Sequence, residues 1–414
     1  MSSSSQYKFI DLFAGCGGLE EGFLQSGNFI DVAAVEWKKP QVDTLRNRLK
    51  TKWGVSDPDR RVLHFDIQRE EELFQGWNDN EFGTHEGLDS LVRESEGIDV
   101  IIGGPPCQAY SVAGRVRDEN GMRNDYRNYL FEHYLSIVDR YKPNAFIFEN
   151  VPGMLSASPN GIPIPKEISQ GFKSIGYTIT DDLKNEALIN AADFGVPQNR
   201  KRVIILGLRD DIFGENNQNL ISVFYKKYLN SKKSTKIYTV EDAIGDLPII
   251  TPIFDENERG ARKSYLIPRS DVSWHKSRYH NLRDMNIFKK LAKDIEDETF
   301  EFTDSKALTN LYYEEIGSKS PIHRYHVLRK DEPSTTIIAH LYKDGNRYIH
   351  YDSSQARTIT PREAARIQSF PDDFEFIGSQ TSTFEMIGNA VPPLLGKKIA
   401  DGLSEFLDDY YKEV

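Results

Sequence analysis

Over roughly the first 210 residues, short apolar runs alternate with stretches of helical period, and most runs stop at a glycine turn, a proline pair or an acid. That alternation confines the chain to the α/β class, a sheet with helices packed on its faces. Residues 8–13 (KFIDLF) read as a strand feeding the turn Gly15, Gly17, Gly18, with a helix over 18–26. Residues 32–36 and 62–66 are the next two strands, and the run 98–102 stops at Gly103-Gly104-Pro105-Pro106. A helix carrying Leu130, Tyr134 and Val138 at i, i+4 and i+8 precedes the apolar strand 145–148, and 202–208 reads as a strand buried on both faces.

From about 210 to 346 the pattern degrades into mixed Lys, Tyr, Ser and Asp, which points to a second, less regular domain. Order returns at Thr360-Pro361-Arg362-Glu363, a capping box with proline at the first helical position, opening a helix that should end before Pro371. A last helix from near Pro392 places Leu395, Ile399, Leu403 and Phe406 on one face. The expected boundaries are 1–212 for the large domain, 213–383 for the small one, and 384–414 for a segment that returns to the large domain.

The 414 residues are enough for two or three cores. No apolar run approaches the ~18 residues of a membrane span, so no membrane association is expected. Residues 1–6 are a serine-rich polar stub without a basic or apolar leader region, and two cysteines cannot supply a disulfide framework. A reducing cytoplasm is the expected compartment. The net charge of -11 argues mildly against a nucleic-acid partner, but residues 226–293 hold 15 basic against 8 acidic side chains. A basic segment inside an acidic chain is compatible with a polyanion. Nine scattered histidines and two cysteines show no metal-ligand spacing.

In an open α/β sheet, ligands bind at the carboxyl ends of the strands, and there this chain places its pointed residues. The turn Phe13-Ala-Gly15-Cys16-Gly17-Gly18 lacks the third glycine of a dinucleotide fingerprint. Glu36, at the end of the second strand, is placed to accept hydrogen bonds from ribose hydroxyls. Together they suggest an adenosine-type cofactor without a firm pyrophosphate grip. Cys107 follows two prolines at the mouth of the sheet, where a thiolate nucleophile needs local activation, whereas Cys16 reads as a small buried hydrophobe. Glu149 ends an apolar strand, where burial would raise its pKa and a nearby arginine would lower it. In Gln198-Asn-Arg200-Lys-Arg202, alternation puts Arg200 and Arg202 on one side, suited to a pyrimidine edge, a phosphate or a carboxylate.

The ordered series Asp11-Leu-Phe-Ala-Gly-Cys-Gly-Gly, Pro105-Pro-Cys-Gln-Ala-Tyr-Ser, Glu149-Asn-Val, Gln198-Asn-Arg-Lys-Arg, Arg362-Glu-Ala-Ala-Arg-Ile-Gln-Ser-Phe-Pro and Gly388-Asn-Ala-Val-Pro-Pro resembles the DNA (cytosine-5) methyltransferases of bacterial and phage restriction–modification systems. The resemblance covers about 1–210 and 350–414. It implies a doubly wound, Rossmann-like sheet binding S-adenosyl-L-methionine, released as S-adenosyl-L-homocysteine, and a small target-recognition domain. Phe13, Gly15, Cys16, Gly17 and Gly18 would hold the methionine end of the cofactor, Glu36 the ribose and Trp37 an adenine face. Asp66 and Ile67 would meet the adenine edge, with Pro105, Leu130, Asn389 and Val391 completing the pocket.

By the same resemblance Cys107 attacks C6 of a cytosine flipped out of the duplex, making C5 electron-rich. Glu149 engages N3 and the amine, while Arg200 and Arg202 hold the O2 side and orient Glu149. No side chain offers a base for the C5 proton, which leaves water. Residues 109–128 read as a lid, with Gln108, Ser111, Arg115 and Arg117 toward DNA. Lys226, Lys227, Lys232, Lys233 and Lys236 suit phosphate contacts, and base readers are sought among Trp274, His275, Lys276, Arg278 and Tyr279. The helix bearing Arg362 and Arg366 is expected to support the small domain through ion pairs. The implied partners are double-stranded DNA and a cognate restriction endonuclease, in a bacterial or phage-infected cell, with one chain sufficient for catalysis. Three rivals have discriminators. An RNA cytosine-5 methyltransferase is disfavoured by the long insert, an inactive DNA-binding relative by intact Cys107, Glu149 and Arg200, and a nicotinamide dehydrogenase by the missing fingerprint.

Overall fold

The computed structural model describes residues 6–105, 130–158, 161–214, 216–259, 263–269, 271–317, 325–343 and 345–413. The chain forms two compact units. The larger comprises Met1–Gly195, Arg200–Thr235 and Ala390–Val414, the smaller Val196–Asn199 and Lys236–Asn389.

In the larger unit, β1 (Tyr7–Leu12), β2 (Phe29–Glu36), β3 (Val62–His64), β4 (Val100–Gly103), β5 (Ala145–Asn150), β6 (Tyr177–Ile179), β7 (Leu188–Asn190) and β8 (Lys201–Arg209) make one sheet in the order β3-β2-β1-β4-β5-β8-β6, with β7 also on β8. The pairs among β1 to β5 are parallel, and β8 is antiparallel to β5, β6 and β7. β1 is flanked by β2 on one side and β4 on the other, so the order reverses there, where α/β sheets open a crevice at their carboxyl ends.

Helix α1 (Gly18–Ser26) follows the glycine turn, and α2 (Lys39–Thr51) and α3 (Leu130–Tyr141) also cover the sheet. The last helix, α8 (Pro393–Glu413), buries Leu395, Ile399, Leu403 and Phe406 in this same unit. Its contact with α1 requires glycine, because a Cβ on Gly22 would lie 2.4 Å from the Lys397 nitrogen.

The helical stretch 217–232, expected in the small domain, belongs instead to the larger unit. Between its lysines it carries aromatic groups that pack inward. The Tyr225 hydroxyl donates to the Ile204 carbonyl at 2.8 Å and accepts from Leu206 N–H at 2.9 Å. Phe224 and Tyr228 meet the Phe406 ring of α8 at 6.0 and 5.6 Å. The lysines pair with acids of the same unit, Lys226 with Glu186 at 3.3 Å, Lys227 with Asp409 at 4.0 Å and Lys232 with Glu405. The boundary thus moves from 212 to 235, and the return begins at Ala390 rather than 384.

The smaller unit is built on α4 (Leu282–Glu296) and α5 (Ser305–Ile316), whose Phe288, Leu291 and Leu311 share a core with Val327 and Ile349. Helix α6 (Pro361–Ile367) opens with the capping box in which Thr360 and Glu363 bond reciprocally. Glu363 also takes a two-pronged hydrogen bond from Arg357, both contacts 2.7 Å, and all three residues are buried. Burial works to raise the Glu363 carboxyl, but Arg357, with a lesser contribution from His350, brings it to about 2. Of the expected ion-pairing arginines only Arg366 forms ion pairs, with Asp246 and Asp372. Arg362 is fully buried and donates to the carbonyls of Ser273, Pro371 and Phe374, the neutral acceptors its interior position offers. Helix α7 (Gln380–Asn389) ends the unit.

Candidate active site

The larger unit gathers five chain segments at the carboxyl ends of the adjacent strands β1 to β5. After β1 the backbone turns sharply: Phe13 and Gly15 have φ of +59°, and Gly17 has +85°. Gly15 N–H donates to Glu36 Oε2 at 2.9 Å, and Lys38 N–H to Glu36 Oε1 at 2.8 Å. Each carboxylate oxygen accepts one backbone bond and keeps lone-pair capacity for another donor. Burial raises the Glu36 carboxyl, offset in part by backbone hydrogen bonds from Lys38, Gly15 and Trp37 and by the Lys38 charge.

A Cβ on Gly15 would meet nothing within 4 Å, so this backbone borders unfilled space. Trp37 beside it is 48% exposed, an uncovered aromatic face. Asp66 holds its turn through Gln68, Ile67 is buried, and Pro105, Leu130 and Val391 are buried in the same unit. A turn open to close backbone approach, a carboxylate with spare acceptors and a bare indole suit an adenosine carrying a short polar tail. Asn389 is exposed and closes the smaller unit. Cys16 is buried, and its thiol is pushed up to about 12 by that burial, which makes it inert.

The second part of the site is Glu149 on β5. Its cross-strand neighbour is Ile204, so Arg202, two residues earlier on β8, projects from the same face. Arg202 Nε lies 2.7 Å from Glu149 Oε1, with side chains 12% and 15% exposed. Burial lowers the Arg202 pKa and the Glu149 charge counters it. Arg200, which the alternation placed beside Arg202, is 1% exposed and donates from Nη2 to the Ala390 carbonyl at 2.8 Å. The described ion pair of Glu149 is the one with Arg202.

Gly103 and Gly104 are fixed by steric need. A Cβ on Gly103, at φ +142°, would sit 2.0 Å from the Leu12 carbonyl oxygen. On Gly104 it would sit 2.6 Å from both the carbonyl and Oε2 of Glu149. The Glu149 carboxylate thus packs on the backbone three residues before Cys107. Cys107, Gln108, Ser111, Arg115 and Arg117 lie outside the described residues.

Lys232 and Arg278, expected at DNA, both have partners within the protein. Lys232 is committed to Glu405, and Lys233 alone of the two stays exposed. Arg278 turns inward, donating to the Tyr342 and Leu341 carbonyls at 3.0 and 3.2 Å over the Phe384 ring, and burial lowers it to about 10. His275 is buried against the Pro248 carbonyl, and Trp274 donates to Phe376, which leaves Lys276 and Tyr279 exposed among the five base-reader candidates.

Two acids escaped the sequence reading. Asp11 on β1 and Glu20 on α1 are each 1% exposed, and Asp11 Oδ2 and both Glu20 oxygens have no hydrogen-bond partner. Burial raises both carboxyls, and each feels a neighbouring acid, Glu36 for Asp11 and Asp11 for Glu20. The available signal was a charge inside KFIDLF. Among the described residues no cluster of His, Cys, Asp and Glu could hold a metal, and no helix is long and apolar enough to cross a membrane.

Residues 7–405 match the family model described as C-5 cytosine-specific DNA methylase. The type II methyltransferase M.Bpa9945I of Bacillus paralicheniformis is 32% identical, over 97% of this chain and 99% of the relative. Type II methyltransferase M1.HphI of Haemophilus parahaemolyticus is 30% identical, over 95% and 86%. A solved DNA modification methyltransferase encoded within an E. coli prophage superposes with a TM-score of 0.58 at 25% identity, over 97% of this chain and 100% of that one. The S. pombe Dnmt2 methyltransferase shares the fold, with a TM-score of 0.53 at 14% identity over 98% and 99%.

Proposed function

We propose that this chain, which belongs to the C-5 cytosine-specific DNA methylase family, acts as the modification half of a type II restriction–modification pair in a bacterial cytoplasm. It is a DNA (cytosine-5-)-methyltransferase that uses S-adenosyl-L-methionine. The observation that carries the assignment of roles is the Glu149–Arg202 ion pair, set against Gly104 just ahead of Cys107.

Bound at the glycine turn, S-adenosyl-L-methionine supplies an electrophilic methyl group on a sulfonium. Phe13 and Gly15 to Gly18 hold its methionine end, Glu36 the ribose hydroxyls and Trp37 the adenine face, with Asp66, Ile67, Pro105, Leu130 and Val391 around them. Cys107, as thiolate, adds to C6 of the flipped cytosine, so that the C5=C6 electrons become available at C5. A proton shared between the Glu149 carboxyl and N3 offsets the negative charge developing on the ring, and the other Glu149 oxygen accepts from the exocyclic amine. Arg202 fixes the Glu149 carboxylate and contributes a guanidinium on the O2 side. Once C5 has taken the methyl group, which leaves the cofactor as S-adenosyl-L-homocysteine, water removes the C5 proton, the freed pair reforms C5=C6 as the Cys107–C6 bond breaks, and 5-methylcytosine leaves. The smaller unit reads the sequence, with Lys276 and Tyr279 as exposed candidates. The bacterial type II relatives support a cognate endonuclease as partner.

The test is transfer of labelled methyl from S-adenosyl-L-methionine to unmethylated genomic DNA, with base-resolution mapping. Label at one short recurring sequence, lost in Cys107→Ser, is the expected result. A chain that binds cofactor but labels only RNA would overturn the substrate assignment.

A further inference from the structure

We propose that Arg200 is a positioning residue for the cofactor side of the site, holding the returning chain at Ala390 and with it Val391. The inference rests on the reading of Val391 as part of the cofactor pocket. The chain enters the larger unit between Asn199 and Arg200, and again between Asn389 and Ala390. These two entry points, 190 residues apart in sequence, are joined by the bond from Arg200 Nη2 to the Ala390 carbonyl at 2.8 Å.

Both ends of that bond are set by local structure. The Arg200 carbonyl accepts from Ala191 N–H at 2.9 Å, which pins its backbone to the 3-10 turn Ala191–Phe194. Its side chain is 1% exposed, so the guanidinium is desolvated and cannot trade this acceptor for water. On the other side, Ala390 and Val391 precede Pro392 and Pro393, and α8 begins only at Pro393. Two successive prolines bring no backbone N–H to this stretch, so a side-chain donor is the natural source of restraint. Arginine suits the task because its guanidinium stays charged when buried and presents several donors in a fixed plane.

Two arginines of one short motif thus divide the work. Arg202 serves the carboxylate at the cytosine side, and Arg200 serves the segment that brings Val391 back. In this assignment Arg200 acts through the chain segment that it holds.

The experiment compares wild type, Arg200→Met, Arg200→Lys and Val391→Ala. It measures the Kd for S-adenosyl-L-homocysteine by calorimetry without DNA, the Kd for DNA, kcat and KM for S-adenosyl-L-methionine, and the thermal midpoint. Loss of this charge-assisted hydrogen bond should weaken cofactor binding about tenfold or more in Arg200→Met. KM for the cofactor should rise in parallel while kcat at saturation stays within about twofold, and Arg200→Lys, which keeps a charged donor, should recover most of the binding. Unchanged cofactor affinity with a collapsed kcat would overturn the proposal and make Arg200 a cytosine contact. A lowered midpoint with equal loss of DNA and cofactor affinity, and no rescue by lysine, would reduce Arg200 to a packing role and overturn it too. Val391→Ala that weakens binding while Arg200→Met does not has the same force. A wild-type chain that binds neither cofactor nor product would instead sink the cofactor reading beneath it.

Discussion

Replacing His350 by glutamine should change how the stability of this protein depends on pH, by an amount the structure fixes. His350 is buried in the smaller unit, its Nδ1 accepting from Asp352 N–H at 3.1 Å and its Nε2 lying 3.5 Å from Glu363 Oε1. Burial, aided by the Arg357 charge, pushes it from 6.5 down to about 3, against the pull of Glu363 and Asp352. The folded state therefore keeps this imidazole neutral, while the unfolded chain protonates it below its ordinary value. Stability is intact above that value and falls by about 1.4 kcal/mol per pH unit beneath it, until the folded pKa is reached.

Between 6.5 and about pH 5 the loss attributable to His350 is about 2 kcal/mol. His280, also lowered to about 3 by burial, adds an equal slope, and the raised carboxyls of Asp11 and Glu20 act with the opposite sign. The difference between wild type and His350→Gln cancels all of these. Urea unfolding followed by circular dichroism at three pH values across that window should show the variant gaining about 2 kcal/mol on wild type toward the acid end. A difference independent of pH would refute the reasoning, because it would mean that the folded protein protonates His350 as readily as the unfolded chain does.

The remaining predictions concern the larger unit. Arg202→Met leaves Glu149 without its ion-pair partner and should lower kcat by about 100-fold with little change in KM for the cofactor, as steady-state kinetics would show. Equal kcat would remove Arg202 from the mechanism. Gly104→Ala drives a methyl group to within 2.6 Å of the Glu149 carboxylate and should cost activity by displacing it. A fully active variant would show that Glu149 need not sit there. Glu20→Gln removes a buried carboxyl whose pKa is raised, so wild-type stability should fall relative to the variant as pH rises through the folded pKa, checked by melts between about pH 5 and 8. Lys232→Ala should leave the salt dependence of DNA binding unchanged, because that lysine is already paired with Glu405.

What could be read from the sequence was local. The turn after β1, the helix over 18–26, the capping box at Thr360 and the inward face of the last helix follow from short-range patterns of glycine, proline and apolar spacing, and all appear in the structure. The chemistry legible at that level was the set of residue types standing at strand ends, because a sheet delivers its strand ends to one edge whatever the loops do. Partnership was not legible. Alternation put Arg200 and Arg202 on one side but could not say that one would meet Glu149 and the other the Ala390 carbonyl. Charge counting marked 226–236 as basic but could not see Glu186, Glu405 and Asp409 neutralising lysines there. Nor could composition show that Tyr225 and Phe224 anchor that segment in the larger unit.

The sequence by itself thus determined the fold class, the strand-end positions of Glu36 and Glu149 and the conformations of the turns, since each depends on contiguous residues and on backbone sterics. Tertiary structure decided which charges meet, which acids are stranded in the interior and where one unit gives way to the other. Those outcomes depend on Coulomb and desolvation energies between groups as far apart in sequence as Tyr7 and Asp408, whose distances are set only when the chain closes on itself.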